Sequence, residues 1–175
     1  NRLGAVSEAG GVTTSWNPPA GANVFALAAS GGRLFAGGGF FSMRGQARQY
    51  LAAIDLPGHT LAAWNPTPDG RVNALATQSG VVYALGIFAN VAGQARNAAA
   101  ALDASTGSAT TWNPDLNATG LAVLPTPSRV YLGGLFSTVG GTSRPTDRRR
   151  VLPCRGAHAS RGAVTRPGHP GPGDR

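Results

Sequence analysis

Lysine is absent from this sequence: all 15 of its basic residues are arginine. Using one cation throughout reads as a codon bias of GC-rich DNA rather than as a selected surface property. Cysteine occurs once, at Cys154, which excludes a disulfide framework and any metal site built on clustered thiolates. Acidic residues number only seven, and Glu8 is the sole glutamate. A hydrolase that needs two placed carboxylates would have to find them among a few scattered aspartates. The three histidines, His59, His158 and His169, do not fall into metal-ligand spacing. No apolar run approaches the ~20 residues of a membrane-spanning helix, so no membrane span is expected. No stretch of the chain carries a helical period.

The net charge of +8 would suit a nucleic-acid partner if it were gathered on a folded surface. It is not. Residues 1–144 hold eight arginines against five acids, a balance of +3, whereas residues 145–175 hold seven against two, a balance of +5. No stripe of arginines interleaved with aromatics appears, and no nucleic-acid partner is expected.

What the chain does have is a period. Trp16-Asn17-Pro18, Trp64-Asn65-Pro66 and Trp112-Asn113-Pro114 are each 48 residues apart. The register extends through Ala26, Ala74 and Ala122, through Phe35, Tyr83 and Tyr131, and through Phe40, Phe88 and Phe136. Gly45, Gly93 and Gly141 share a phase, as do Asp55 and Asp103. Leu3, Val6 and Gly10 take the phases of Leu51, Ile54 and Gly58, so residues 1–15 read as the trailing third of an earlier copy. The chain thus divides into a partial copy 1–15, full copies 16–63 and 64–111, and a partial copy 112–144. A period of this length marks a repeat architecture.

Within one period the alternation of apolar residues and the turn chemistry predict four strands, near 23–29, 33–37, 50–55 and 60–64. Ser30-Gly31-Gly32 ends the first, and Asn65-Pro66 removes a ladder donor after the last. Four short strands per copy describe an all-β chain: a partial β-propeller of four-stranded antiparallel blades, standing as an open arc. Gly37-Gly38 and Gly133-Gly134 would permit close backbone approach or a bulge; Leu85 stands in the phase of Gly37. The tryptophans are expected to wedge between adjacent blades. An unclosed arc leaves a bare apolar face at each end.

The repeat also reassigns the tempting side chains. Asp55 and Asp103 precede turns in successive copies, where aspartate accepts hydrogen bonds from turn amides. Asp69 and Asp115, after the Trp-Asn-Pro loops, look like turn residues too. Arg48, Arg96 and Arg144 recur after a Gly-Gly or Gly-x segment. Each would either bond carbonyls of a neighbouring blade or line a channel as an anion or ligand contact. These three are the candidate site residues. No catalytic residue, cofactor site or metal site is expected.

Trp112-Asn113-Pro114, Tyr131-Leu132-Gly133-Gly134-Leu135-Phe136, Gly140-Gly141 and Arg144, with Ala99-Ala100-Ala101-Leu102-Asp103 and Thr106-Gly107 from the previous copy, carry a specific pattern. It resembles the delta-60 repeat β-propellers, a bacterial family of unassigned biochemical role, over residues 1–144. The resemblance implies a secreted or cell-surface module within a longer chain, and implies no reaction. Ala101-Leu102-Asp103-Ala104-Ser105-Thr106-Gly107 before Trp112 is also similar to the tryptophan-docking motif of pyrroloquinoline-quinone propellers. Here the tryptophan falls five residues after the glycine instead of four, and the vicinal cysteines of the quinone dehydrogenases are missing.

After Arg144 the repeat calls for a Leu-Ala-Ala-Leu-Asp strand at 147–151, and the chain reads Asp147-Arg148-Arg149-Arg150-Val151 instead. Residues 145–175 are a basic tail rich in Pro, Gly and Arg, expected to be irregular, through disorder or a shifted reading frame. The function expected is that of a non-enzymatic extracellular scaffold or ligand-binding module, with a protein or carbohydrate partner. The alternative is a fragment of a propeller enzyme (hydrolase, lyase or quinoprotein) whose active site lies in missing blades.

Overall fold

The computed structural model describes residues 2–144. They contain no helix and fifteen short strands. The first full period holds β1 (Val24–Ser30), β2 (Arg33–Gly38), β3 (Ser42–Met43), β4 (Gln46–Ala47), β5 (Leu51–Asp55) and β6 (Thr60–Leu61). The second holds β7 (Val72–Gln78), β8 (Val81–Gly86), β9 (Asn90–Val91), β10 (Gln94–Ala95) and β11 (Ala99–Asp103). The third begins with β12 (Gly120–Thr126) and β13 (Arg129–Gly134), followed by β14 (Thr138–Val139) and β15 (Thr142–Ser143). The strands pair into several small antiparallel sheets, β1-β2-β5-β6, β7-β8-β11 and β12-β13, plus three two-stranded hairpins, and none of the sheets is closed. The irregular basic tail expected over residues 145–175 lies outside the described residues.

The turns follow from their residues. Gly31-Gly32 and Ser79-Gly80 all have positive φ, the backbone that a two-residue hairpin requires and that glycine adopts without strain. The hairpins β3-β4, β9-β10 and β14-β15 turn on Arg44-Gly45, Ala92-Gly93 and Gly140-Gly141 in the same way. They are additions to the expected four strands. Each is stitched to the Trp-Asn-Pro loop before it: the amides of Arg44, Ala92 and Gly140 donate to the carbonyls of Pro19, Pro66 and Pro114.

The fourth strand is shorter than expected. β6 stops at Leu61, and its counterpart in the second period shrinks to a single bridge between Leu102 and Ala109. The chain leaves the sheet there because the tryptophan that follows turns away into the next interface. β5 likewise starts one residue late, at Leu51, since Tyr50 has a φ of 62° and cannot continue an extended strand.

The first long strands of the three periods, β1, β7 and β12, lie side by side, so each sheet packs against the next. The core sits in those seams. Trp64, 3% exposed, packs edge-on against Phe35 at 4.9 Å, and its indole N–H donates to the Asp103 carbonyl at 2.9 Å. Trp112 meets Tyr83 in the same way at 5.4 Å. The N-terminal stretch makes one isolated bridge, Val6–Thr13, which repeats the register of Ile54–Leu61, and Leu3 belongs to the same core cluster as Ala36 and Phe40.

Close backbone approach occurs where the glycines are. A Cβ on Gly38, Gly86 or Gly134 would meet the carbonyl oxygen of Asn23, Arg71 or Thr119 at or below 2.3 Å, beside a register shift in the adjoining pair. Tyr131 is 55% exposed, whereas Phe35, in its phase, is wholly buried.

Candidate functional site

The two full copies of the repeat place their arginines alike. Arg48 follows β4, and its Nη1 and Nη2 donate to the carbonyls of Ala47 and Ala62 at 2.8 and 3.0 Å. Arg96 follows β10 and reaches Ala95 and Thr110 at 2.7 Å each. Ala62 and Thr110 follow the strand positions farthest from the β1, β7, β12 row. The guanidinium groups of Arg48 and Arg96 therefore clamp the outer edge of their own sheet, whereas the expected carbonyl partners, one of two readings for these arginines, were those of a neighbouring blade. A planar fork suits this bridging of two carbonyls. In both, Nε is buried without a partner. Arg144 is exposed, and the position in phase with Ala62 and Thr110 is outside the described residues. The three arginines are not brought together.

The aspartates divide. Asp103 is a turn residue as expected. The amides of Thr106 and Ser105 and the Thr106 hydroxyl all donate to it, and these bonds hold its carboxyl below the usual carboxylate range. Asp55 instead pairs with Arg33 at 2.7 Å, because the β2-β5 register sets those two residues opposite each other. Val81 stands opposite Asp103, so no such pair forms there. Arg33 also donates to the carbonyls of Ala104 and Ser105, tying the first sheet to a turn of the second.

Asp69 does more than end a turn. Its Oδ1 accepts from the amides of Ala89 and Asn90, and its Oδ2 from the Asn90 side chain. Burial works against its charge, but the bonds from Asn90 and Ala89 prevail and keep the pKa lowered. Asn117, in the same phase, holds the amides of Ser137 and Thr138 likewise.

Beside Asp69 the seam between the second and third periods opens into a cleft of about 610 Å³. Ile87, Ala89, Ala98 and Leu116 give it apolar walls, and Asp69, Asn97 and Asn117 give it polar ones. The repeat explains the space. One period earlier, Phe41 and Tyr50 occupy the phases of Ala89 and Ala98 and pack edge-on at 5.0 Å. Arg71 stands in the phase of Thr119, also on the cleft. Three large side chains thus become three small ones along one seam. The alignment of the copies contains these exchanges, but only the fold shows that they share a groove.

The cleft is lined by no cation and by a single carboxylate. Its chemistry is that of hydrogen-bond acceptance beside an apolar floor. Among the described residues no three His, Cys, Asp or Glu side chains gather closely enough to hold a metal ion, and no helix is long and apolar enough to cross a membrane. No protein-family model, curated protein or solved structure matches the chain.

Proposed function

We propose that the chain is a run of β-propeller blades of the delta-60 repeat kind, a non-enzymatic extracellular scaffold that binds a protein or carbohydrate partner. The observation that carries this reading is the side-by-side row of β1, β7 and β12, whose sheets are joined face-on by Trp64 and Trp112. Strands that repeat their neighbours across one inner edge suit a radial arrangement. The conspicuous polar side chains serve the scaffold: arginines hold sheet edges and aspartates hold turns and hairpins. Binding specificity then belongs to positions that depart from the repeat.

The test is glycan-array and protein-capture binding by the intact secreted protein, with each ligand followed for turnover. Saturable binding without consumption of the ligand is expected. Catalytic consumption would replace this reading with that of an enzyme. A crystal structure of the intact protein checks the architecture: the inner strands should surround a common axis, and a straight stack of sheets would overturn the propeller.

A further inference from the structure

The geometry points to the cleft between the second and third periods as a binding site for an aromatic ring that bears a hydrogen-bond donor, such as a phenol or an indole. The inference rests on the reading of this chain as a binding module, and it names where and what that module binds.

The groove's own sequence history argues for the ring. In the preceding seam the same two positions carry Phe41 and Tyr50, so this groove geometry accommodates aromatic groups. At Ala89 and Ala98 the rings are gone while the surrounding backbone is kept. Tyr50 and Ala98 even share a left-handed φ, 62° and 57°. The wall left behind is apolar, and Ile87 is 46% exposed along it. A flat apolar guest fits such a wall better than a fully hydroxylated one.

Polar groups select the donor. Asp69 Oδ1 already accepts two amides, while Oδ2 accepts only the Asn90 side chain and keeps further acceptor capacity. The Asn97 amide donates to Asp115 Oδ1 at 2.6 Å, which directs its carbonyl oxygen away from that bond and leaves a second acceptor. With no cation in the lining, phosphate and carboxylate guests are disfavoured. A partner protein's side chain and a free small molecule share this chemistry, and the test below separates the two sources.

The experiment follows the methyl NMR signals of Ile87, Ala89 and Ala98 as N-acetyl-tyrosinamide, p-cresol and methyl glucoside are added separately. Both ring compounds should shift these methyls, with a Kd of about 1 mM for so small a ligand. Tighter binding of the tyrosinamide identifies a side chain on a peptide, and equal binding identifies a free ring. Ala89→Phe with Ala98→Tyr should weaken the response by about tenfold or more, with Ala89→Phe alone as the variant to use if the pair does not fold. Asp69→Asn should erase the preference for N-acetyl-tyrosinamide over N-acetyl-phenylalaninamide. Methyls unmoved by either ring compound, methyls moved only by the glucoside, or an Ile87 methyl that moves equally in the refilled variant, which lacks the two alanine methyls, would overturn the proposal. If the intact protein still binds on the arrays, the cleft assignment alone has failed; silence in both assays removes the binding-module reading.

Discussion

Leu85 lies against Gly120 across the seam between the second and third periods, where a Cβ on the glycine would come within 2.8 Å of the leucine. In the preceding seam the sizes are exchanged: Gly37 faces Val72, and a Cβ there would fall 2.7 Å from the valine. Gly37 and Leu85 share one phase of the repeat, and Val72 and Gly120 share another. Each seam thus has one small and one large member, with opposite assignment. Gly120→Val should cost about 1–3 kcal/mol by overpacking. Leu85→Gly, which leaves a cavity, should cost at least about 2–5 kcal/mol. Together they recreate the first seam, so a double-mutant cycle in urea should give a favourable coupling of about 1 kcal/mol or more. Strict additivity would show that the two residues do not share the space.

Gly107 makes room for a different contact. Its φ is +81°, and a Cβ would stand 3.3 Å from the Trp64 indole. His59 takes the same phase with φ +51°, and Trp16 there lacks the hydrogen bond that Trp64 makes; its buried N–H has no partner. Gly107→Ala should therefore destabilise by about 1–2 kcal/mol. His59→Gly should stabilise by up to about 1 kcal/mol by relieving the left-handed strain. Thermal melts of the two variants that moved in the same direction would refute this account of the docking turn.

Trp64 closes the best-buried seam, so Trp64→Ala should cost about 3–5 kcal/mol. In variants retaining one tryptophan each, acrylamide should quench Trp64 least. Ready quenching of Trp64 in the folded protein would place it outside the seam.

The period and the long strands were legible because they rest on bulky, frequent signals: a tryptophan every 48 residues and alternating apolar runs. The small hairpins were not. Strands of two residues are too short to show alternation, and the available clue was the aligned glycines Gly45, Gly93 and Gly141. The partner of Asp55 was hidden for another reason. Repeat phase predicts what Asp55 and Asp103 have in common, while the cross-strand register decides that one faces Arg33 and the other Val81. Carbonyl binding was one of two readings open for the repeated arginines, and which sheet they clamp depends on where the chain leaves after β6. The cleft needed both the internal alignment and the fold.

Arg96 holds the carbonyls of Ala95 and Thr110. Arg96→Ala should lower stability by about 1.5–3 kcal/mol, the range for hydrogen bonds to a charged group. Arg96→Lys should recover only part of that, since an ammonium lacks the planar fork that spans two carbonyls. An unchanged melting temperature for the alanine variant would count against a clamping role.

Acid should loosen the hairpin at β9-β10 through Asp69. Its folded pKa lies below the ordinary aspartate value despite partial burial, because Asn90 and Ala89 donate to the carboxylate. Unfolded, it titrates near about 3.9. Between the two values the unfolded chain binds more protons than the folded one, so stability falls as pH falls. The contribution is fully present above the unfolded pKa and is lost as pH drops through the lowered folded value. Asn117 shows that an asparagine in this phase still holds two hairpin amides, so Asp69→Asn should fold. At neutral pH the variant should be less stable than the native protein, because neutral bonds replace charge-assisted ones. That gap should narrow as the solution is acidified below about pH 4, since protonation removes the same charge from the native residue. Urea titrations of both proteins across this range give the answer. A gap that stayed constant down to about pH 2 would mean that the Asp69 charge has the same free energy in the folded and unfolded chains.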